Sequence, residues 1–349
     1  MSRKQRAGKS TKVTMRDVAE RAGVSLMTVS RVLNSERVAA DTRDRVMEAV
    51  DALNYRLNIS ARSLSGTQSY VMGFFYDNAL GGYISQYLIG VLKRCNELGY
   101  HLVLESCDYG EPDVESIVAD LTERYRLDGM IIPPPLCEYL PLLNALDEAG
   151  IRYVRLGPGL ELCRSPYVSI NDSRATYEIT EHLIACGHRH IGFIKGDTRQ
   201  GVALMRFEGF RKAMANHGLE VNPALVAEGR FEFDDGMAAC ERILDSAEPV
   251  SAILASNDDM ASAVIAVVHR RGLRVPEDIA VGGFDDTSIA TSVWPPLTTI
   301  RQPIDALSCQ SVDLLIEAVK ADGPLGSGFQ KCNILDHTLV VRGSTVGVV

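Results

Sequence analysis

"DVAERAGVSLMTVSRVLN", residues 17–34, compresses two short helices and a sharp turn into one stretch. Asp17 reads as an N-cap, with Glu20 three residues on in the capping-box position. Val18, Ala19 and Ala22 then share one small apolar face, and Gly23 supplies the left-handed conformation a tight turn needs. Ser25 caps the next helix, in which Val29, Val32 and Leu33 recur at i, i+3 and i+4 and point inward. Met27, Thr28 and Arg31 are left on the outer face. A short helix that shows an arginine, a threonine and a methionine to solvent is shaped to touch a partner.

The charge of the chain agrees with a polyanionic partner at this end. Of 349 residues, the first 65 carry 13 Lys and Arg against 7 Asp and Glu, a balance of +6. The rest carries 23 against 38, a balance of −15, so the net charge of −9 conceals a basic start on an acidic body. Residues 1–12 read as a basic disordered tail with no apolar segment behind it, which argues against secretion. No apolar run reaches the roughly 20 residues a membrane helix needs. The eight cysteines are scattered without a CxxC pair, as expected of reduced thiols in the cytoplasm. At 46% hydrophobic and 23% charged the chain is globular, and its length calls for two or three domains.

A third helix is expected over Asp41–Tyr55, with Val46, Val50 and Leu53 at helical spacing, followed by a polar linker, "RLNISARSLSGTQS" (56–69). From Tyr70 the texture changes. The short apolar runs VMGFFY, HLVLES, GMIIPP, RYVRLG, YVSI, HIGFIKG, AILASN and IAVGGF alternate with helical stretches such as Gly82–Leu98, Val114–Tyr125, Arg174–Cys186, Met205–His217 and Asp258–Arg271. Such alternation implies parallel βαβ units, too many for one sheet, and the loop between Leu156 and Tyr167 suggests a division into two lobes. Ligands of doubly wound sheets bind past the carboxyl ends of the strands. The candidates there are Asp77, Tyr83, Pro133, Pro134, Asp172, Arg206, Asn257, Asp259, Asp285, Asp286 and Gln302.

The stretch "VTMRDVAERAGVSLMTVSRVLN" (13–34), with "TRDRVMEAVDALNYRLNISARSLSG" (42–66), resembles the lac repressor family of bacterial transcription regulators. The likeness continues through "HLIACGHRHIGFIKG", "RFEGFRKAM", "ILASNDDMASAVIAVVHRRGLRVPEDIAVGGFDD" and "PPLTTIRQP". It implies an all-α helix-turn-helix headpiece over 13–58 and a hinge helix over 59–69. A two-lobed, periplasmic-binding-protein-like (type I) regulatory domain of parallel doubly wound sheets would follow over 70–349. The N-lobe is expected at about 70–170 and 301–331, the C-lobe at about 171–300 and 332–349.

By the same resemblance Leu26, Met27 and Arg31 hold base-reading positions. Arg31 suits a bidentate contact to guanine, whereas Leu26 and Met27 offer only apolar contacts such as to thymine methyls. Thr14, Ser25, Thr28, Ser30, Asn34 and Tyr55 match phosphate-contacting positions. Ala61 and Leu64 match the hinge, with Leu64 the wedge pushed into the minor groove. Paired hinges imply a homodimer on near-palindromic double-stranded operator DNA. In the regulatory domain Arg206 matches the ligand-binding arginine, Asp285 its acidic partner and Asn257 a neighbouring polar position. Phe231 falls where relatives set an aromatic ring against the ligand, and Asp172, Tyr83 and Gln302 complete the set. Carboxylate, amide and guanidinium groups over an aromatic face read as a carbohydrate pocket. Asp286 is expected only as a solvated neighbour of a helix cap.

The chain also departs from the pattern. "YDNALGGYISQY" (76–87) lacks an Asn-Pro-Phe-Phe run, Gly157-Pro158-Gly159 replaces an acidic residue, and Gln200 stands where nucleobase binders carry a second arginine. "STVGVV" closes the sequence without leucine heptads, so no tetramerising coil is expected. The expected function is a cytoplasmic repressor of carbohydrate-use genes, released by a sugar or glycoside effector, with no cofactor, metal or membrane partner. A repressor needing a purine or sugar-phosphate corepressor is the alternative, and a sugar-transport component would not carry the headpiece. An enzyme has no support. "GPGLEL" places Leu162 where the last glycine of GxGxxG belongs, no GxxxxGK[ST] loop exists, and His188 and His190 lack further ligands at metal spacing.

Overall fold

The computed structural model describes residues 13–33, 38–53, 55, 68–77, 82–321 and 331–346. The chain divides into two compact units, Met1–Ser69 and Tyr70–Val349. The first holds α1 (Met15–Ala22), α2 (Leu26–Leu33) and α3 (Ala40–Ala52). Val18, Val29, Val32, Val46 and Ala49 make its core, each at most 3% exposed. Gly23 turns the chain at φ 64°, and Arg45 Nη2 on α3 donates to the carbonyl of Ala22, 2.8 Å away, fixing the end of α1 from across the core.

One expectation is corrected here. The N-cap of α1 is Thr14, and Asp17 is the third helical residue, accepting from the Thr14 backbone N–H and hydroxyl at 2.7 Å each. The helix starts earlier because a carboxylate in the first turn satisfies the cap from inside, a role equally compatible with the same sequence. Ser25 does cap α2, its Oγ accepting from the Thr28 N–H at 3.1 Å.

The second unit is built on two six-stranded sheets. In chain order the strands are β1 (Val71–Tyr76), β2 (His101–Ser106), β3 (Gly129–Ile132), β4 (Tyr153–Leu156), β5 (Tyr167–Ile170), β6 (Ile191–Lys195), β7 (Val226–Glu228), β8 (Ala252–Ala255), β9 (Ala280–Asp285), β10 (Thr298–Arg301), β11 (Cys332–Leu335) and β12 (Thr338–Val340). The first sheet runs β11-β5-β4-β3-β1-β2, the second β12-β10-β9-β8-β6-β7. Every pairing is parallel except β10 with β12. The central strands are apolar on both faces because helices cover both, as at β3 and β8, where every residue is buried.

Two placements differ from the sequence reading. The loop 157–166 joins β4 to its neighbour β5, so it lies within one lobe, and the chain crosses to the second sheet after Ile170. The loop is folded onto Arg155, fully buried, whose guanidinium donates to Ser165 Oγ and to the carbonyls of Leu160 and Glu161. The second difference is at the end of the chain. Residues 332–335 belong to the first sheet, Cys332–Leu335 pairing with Tyr167–Ile170, and only β12 returns to the second. An edge strand of alternating exposure carries too few apolar residues to reveal which sheet it will join.

Candidate functional site

On the headpiece, burial of Val29 and Val32 leaves the opposite side of α2 outward. Leu26 is 46% and Met27 64% exposed, and Arg31 is exposed beside them. Large apolar groups held in water at the start of a helix, next to a cation, form a contact face, on an element of the kind a major groove admits. Ser25 is exposed, while Thr28 and Ser30 are half-buried, and Thr14 and Ser25 already serve as caps. Tyr55 packs half-buried against the headpiece core, its N–H donating to Val50, and burial pushes its phenol pKa up. Asn34, Ala61 and Leu64, the 1–12 tail and most of the 59–69 hinge lie outside the described residues.

In the second unit a cavity of about 190 Å³ opens past the carboxyl ends of both sheets. Tyr83, Asp172, Arg206, Phe231, Asn257, Asp285 and Gln302 all line it, although they are spread over more than 200 positions of sequence. Arg206, 5% exposed, is its centre: Nε donates to Asp172 Oδ1 at 2.8 Å, Nη1 to the Ser256 carbonyl at 2.5 Å, and Nη2 lies 3.9 Å from Asp285 Oδ1. Its guanidinium also lies 3.7 Å from the Phe284 ring centroid and 5.7 Å from that of Phe231. Gln302 Nε2 donates to Asp285 Oδ1 at 2.7 Å, and the Tyr83 hydroxyl lies 3.4 Å from Gln302 Oε1.

Burial dominates the electrostatics. It raises the pKa of Asp285 to about 7, against the opposing pull of Arg206 and the Gln302 hydrogen bond. Asp172 is raised by the same desolvation, again opposed by Arg206. Behind them Asp258 is pushed well above the usual carboxylate range by burial and by the nearby Asp285, while Thr299 Oγ1 and the Thr287 N–H donate to it. Asp285 holds φ 111° and Phe231 φ 67°, positions where a side chain is strained and the backbone is held by its surroundings.

The comparisons with known proteins fit both units. Residues 14–58 match the model for bacterial regulatory proteins of the lacI family, and 180–345 that for a periplasmic binding protein-like domain. The HTH-type transcriptional repressor PurR of Haemophilus influenzae (strain PittEE) is 34% identical over 343 residues, covering 96% of this chain and 99% of that protein. This chain belongs to the lacI family. Among solved structures, the transcriptional regulator CelR–cellobiose complex is 30% identical at TM-score 0.72, covering 95% of this chain and 99% of that one. The lac repressor dimer bound to operator and the anti-inducer ONPF is 30% identical at TM-score 0.71, covering 96% and 99%. The lacI-family chain is therefore a DNA-binding transcriptional regulator and not an enzyme, from a family whose members bind small-molecule effectors.

Within this regulator's pocket, the structure redistributes several roles. The Asn257 amide is spent on the protein: Oδ1 accepts from the Met260 N–H as the N-cap of helix Asp258–Arg270, and Nδ2 donates to the Phe231 carbonyl at 2.9 Å. Asn257 thereby holds the aromatic loop against the cavity. Asp286 is neither a cap nor solvated; it is ion-paired with Arg301 (2.6 Å) and Arg342 (2.7 Å), and Thr287 caps the following helix. Pro134 and Pro135 line the cavity, but Pro133 does not. Arg230, Glu232 and Tyr87 line it unforeseen. The two charged residues flank Phe231 on a loop whose positive φ values no sequence pattern announced, and Tyr87 lies one turn on from Tyr83, their hydroxyls 3.3 Å apart. His188 and His190 make no metal site among the described residues; His188 Nδ1 lies 3.0 Å from Ser251 Oγ. No described helix is long and apolar enough to cross a membrane.

Proposed function

We propose that this regulator is a cytoplasmic, homodimeric repressor of carbohydrate-use genes, released from a near-palindromic operator by an uncharged sugar or glycoside. Arg31 reads guanine, and Leu26 and Met27 make the apolar base contacts. Thr14, Ser25, Thr28, Ser30, Asn34 and Tyr55 meet phosphates, and Ala61 and Leu64 of paired hinges enter the minor groove. Effector closing the two lobes separates the hinges, so that wedge and headpieces disengage together.

The observation that carries the sugar reading is the state of the pocket's cations. Arg206 is held between Asp172 and Asp285, and Arg230 is bonded to both oxygens of Asp235 at 2.8 and 3.0 Å. Against these two arginines the cavity is lined by Asp77, Asp172, Glu232, Asp259 and Asp285. Such a wall offers acceptors to a ligand rich in hydroxyl donors and repels a phosphate. Phe231 supplies the flat apolar surface that covers sugar C–H groups. The second reading, a purine corepressor, is favoured by the likeness to PurR and opposed by Gln200, a neutral group on the cavity wall.

A thermal-shift panel of mono- and disaccharides, glycosides, sugar phosphates and purines tests this on the full chain. A ligand at 100 times its Kd adds about 2.7 kcal/mol to native stability, well within detection. Stabilisation by a neutral sugar, with phosphates and purines inactive, is the expected result; a purine or a sugar phosphate as the stabilising compound overturns it.

A further inference from the structure

We propose that Glu138 is an interlobe latch, a positioning residue that holds the second lobe against the first beside the effector pocket. Glu138 ends a short 3-10 turn after β3 in the first lobe and is 8% exposed. One carboxylate oxygen accepts the backbone N–H groups of Gly159 and Leu160, at 2.6 and 2.5 Å, on the loop after β4 of the same lobe. The other accepts the N–H of Gly201 at 2.6 Å. Gly201 opens the helix Gly201–Asn216 of the second lobe, so a single carboxylate ties both lobes together. It does so at a helix start, where unpaired N–H groups and the helix dipole favour an anion.

The glycines show how closely the lobes meet at this point. A Cβ on Gly159 would stand 2.4 Å from the Gly201 carbonyl carbon, and one on Gly201 would stand 2.5 Å from that of Gly159. A second contact lies alongside. Arg199 of the second lobe, held by Asp197, places its guanidinium 4.8 Å from the ring centroid of Tyr109 in the first. The helix pinned by Glu138 is the one that carries Arg206, and Gln200 and Val202 at its start line the cavity. The latch therefore sets where the pocket arginine sits relative to the first lobe, whichever effector enters. Closure of the cleft has a contribution built into the protein, and an effector adds to a contact that already exists.

Hydrogen exchange read by mass spectrometry on the unliganded full chain tests this, following peptides that cover 157–162 and 199–203. In Glu138→Ala both peptides exchange at least tenfold faster than in the native protein. In Glu138→Gln only one acceptor oxygen remains, so it keeps the two loop amides and the 199–203 peptide alone accelerates. Gly201→Ala leaves Glu138 untouched but parts the lobes with its Cβ, again accelerating 199–203, at a helix position where alanine itself is well tolerated. Solution scattering on the same variants gives a larger radius of gyration than the native chain. Native-like protection of 199–203 in both Glu138→Gln and Gly201→Ala overturns the latch and reduces Glu138 to a cap of its own loop. Those two variants decide the matter even where Glu138→Ala fails to fold.

Discussion

Arg206 is buried between Asp172 and Asp285, and each depends on the others. Replacing Arg206 by alanine strands Asp172 and Asp285 without their cation, and losing one partner of a buried pair costs about 3–5 kcal/mol. The urea midpoint of Arg206→Ala should fall accordingly, and effector should no longer stabilise it or release its DNA. Asp285 itself predicts a pH dependence. Its folded pKa of about 7 lies above the unfolded one, so the native state holds an extra proton between about pH 4 and 7. That contribution to stability is full below the unfolded pKa and is lost as pH rises through 7. Asp285→Asn keeps an acceptor for Gln302 and removes the loss, so its stability relative to the native chain should rise from pH 4 to 7 and level off above. Denaturation at pH 5 and pH 8 checks it, and equal differences at the two values would refute it.

At the scale of single elements, α2 and the start of helix Asp258–Arg270 each serve structure with one side, and the proposed function gives the other side of each to a ligand. On α2 the division is clean: Val29 and Val32 fill the core while Leu26, Met27 and Arg31 face outward. Arg31→Ala should cost about 1–3 kcal/mol of discrimination against wrong bases. Fluorescence anisotropy with operator and scrambled duplexes would show the two affinities converging, with effector-induced thermal stabilisation retained. At Asn257 the two duties share one amide. Asn257→Asp retains the oxygen that caps the helix and deletes the donor to Phe231. Thermal stability should change little while effector affinity drops, whereas Asn257→Ala also loses the cap, worth about 1 kcal/mol. Calorimetric titration beside thermal melts separates the two.

For the whole molecule, the charge asymmetry and the shared pocket make physical demands of their own. The first 65 residues carry +6 and the remainder −15, so electrostatic attraction for a polyanion is concentrated at one end. Operator affinity should fall linearly on a log–log plot against salt, and the slope counts the phosphates neutralised. Effector and operator must also be reciprocal. If effector weakens operator binding by some factor, operator weakens effector binding by that same factor, commonly a coupling of about 1–3 kcal/mol. Effector titrations with and without saturating operator measure it, and unequal factors would contradict a two-state switch.

Much of this protein was written locally. The helix-turn-helix reads from Val18, Ala22, Gly23, Val29 and Val32 because a 3.6-residue period and a left-handed turn are properties of near neighbours. The eight runs from VMGFFY to IAVGGF read as strands because short apolar stretches alternate with helical ones, and the central strands, covered on both faces, have to be continuously apolar. The pocket residues Arg206, Asp172 and Asp285 were legible because they stand beside strand ends or in a resembling motif. Tertiary structure alone decided the rest. The edge strand Cys332–Leu335 joins the first sheet by pairing with β5, a choice its own four residues do not encode. Arg230 and Glu232 reach the cavity on a loop held by contacts distant in sequence, among them the Asn257 amide on the Phe231 carbonyl and the Gly229 N–H on that of Lys195. Glu138, an ordinary acidic residue in sequence, becomes a bond between lobes because Gly159 and Gly201, 42 positions apart, leave each other no room for a side chain. Periodicity is carried by residues close in the chain, whereas hydrogen-bond partners and close approaches are set by distances that exist only once both sheets have formed.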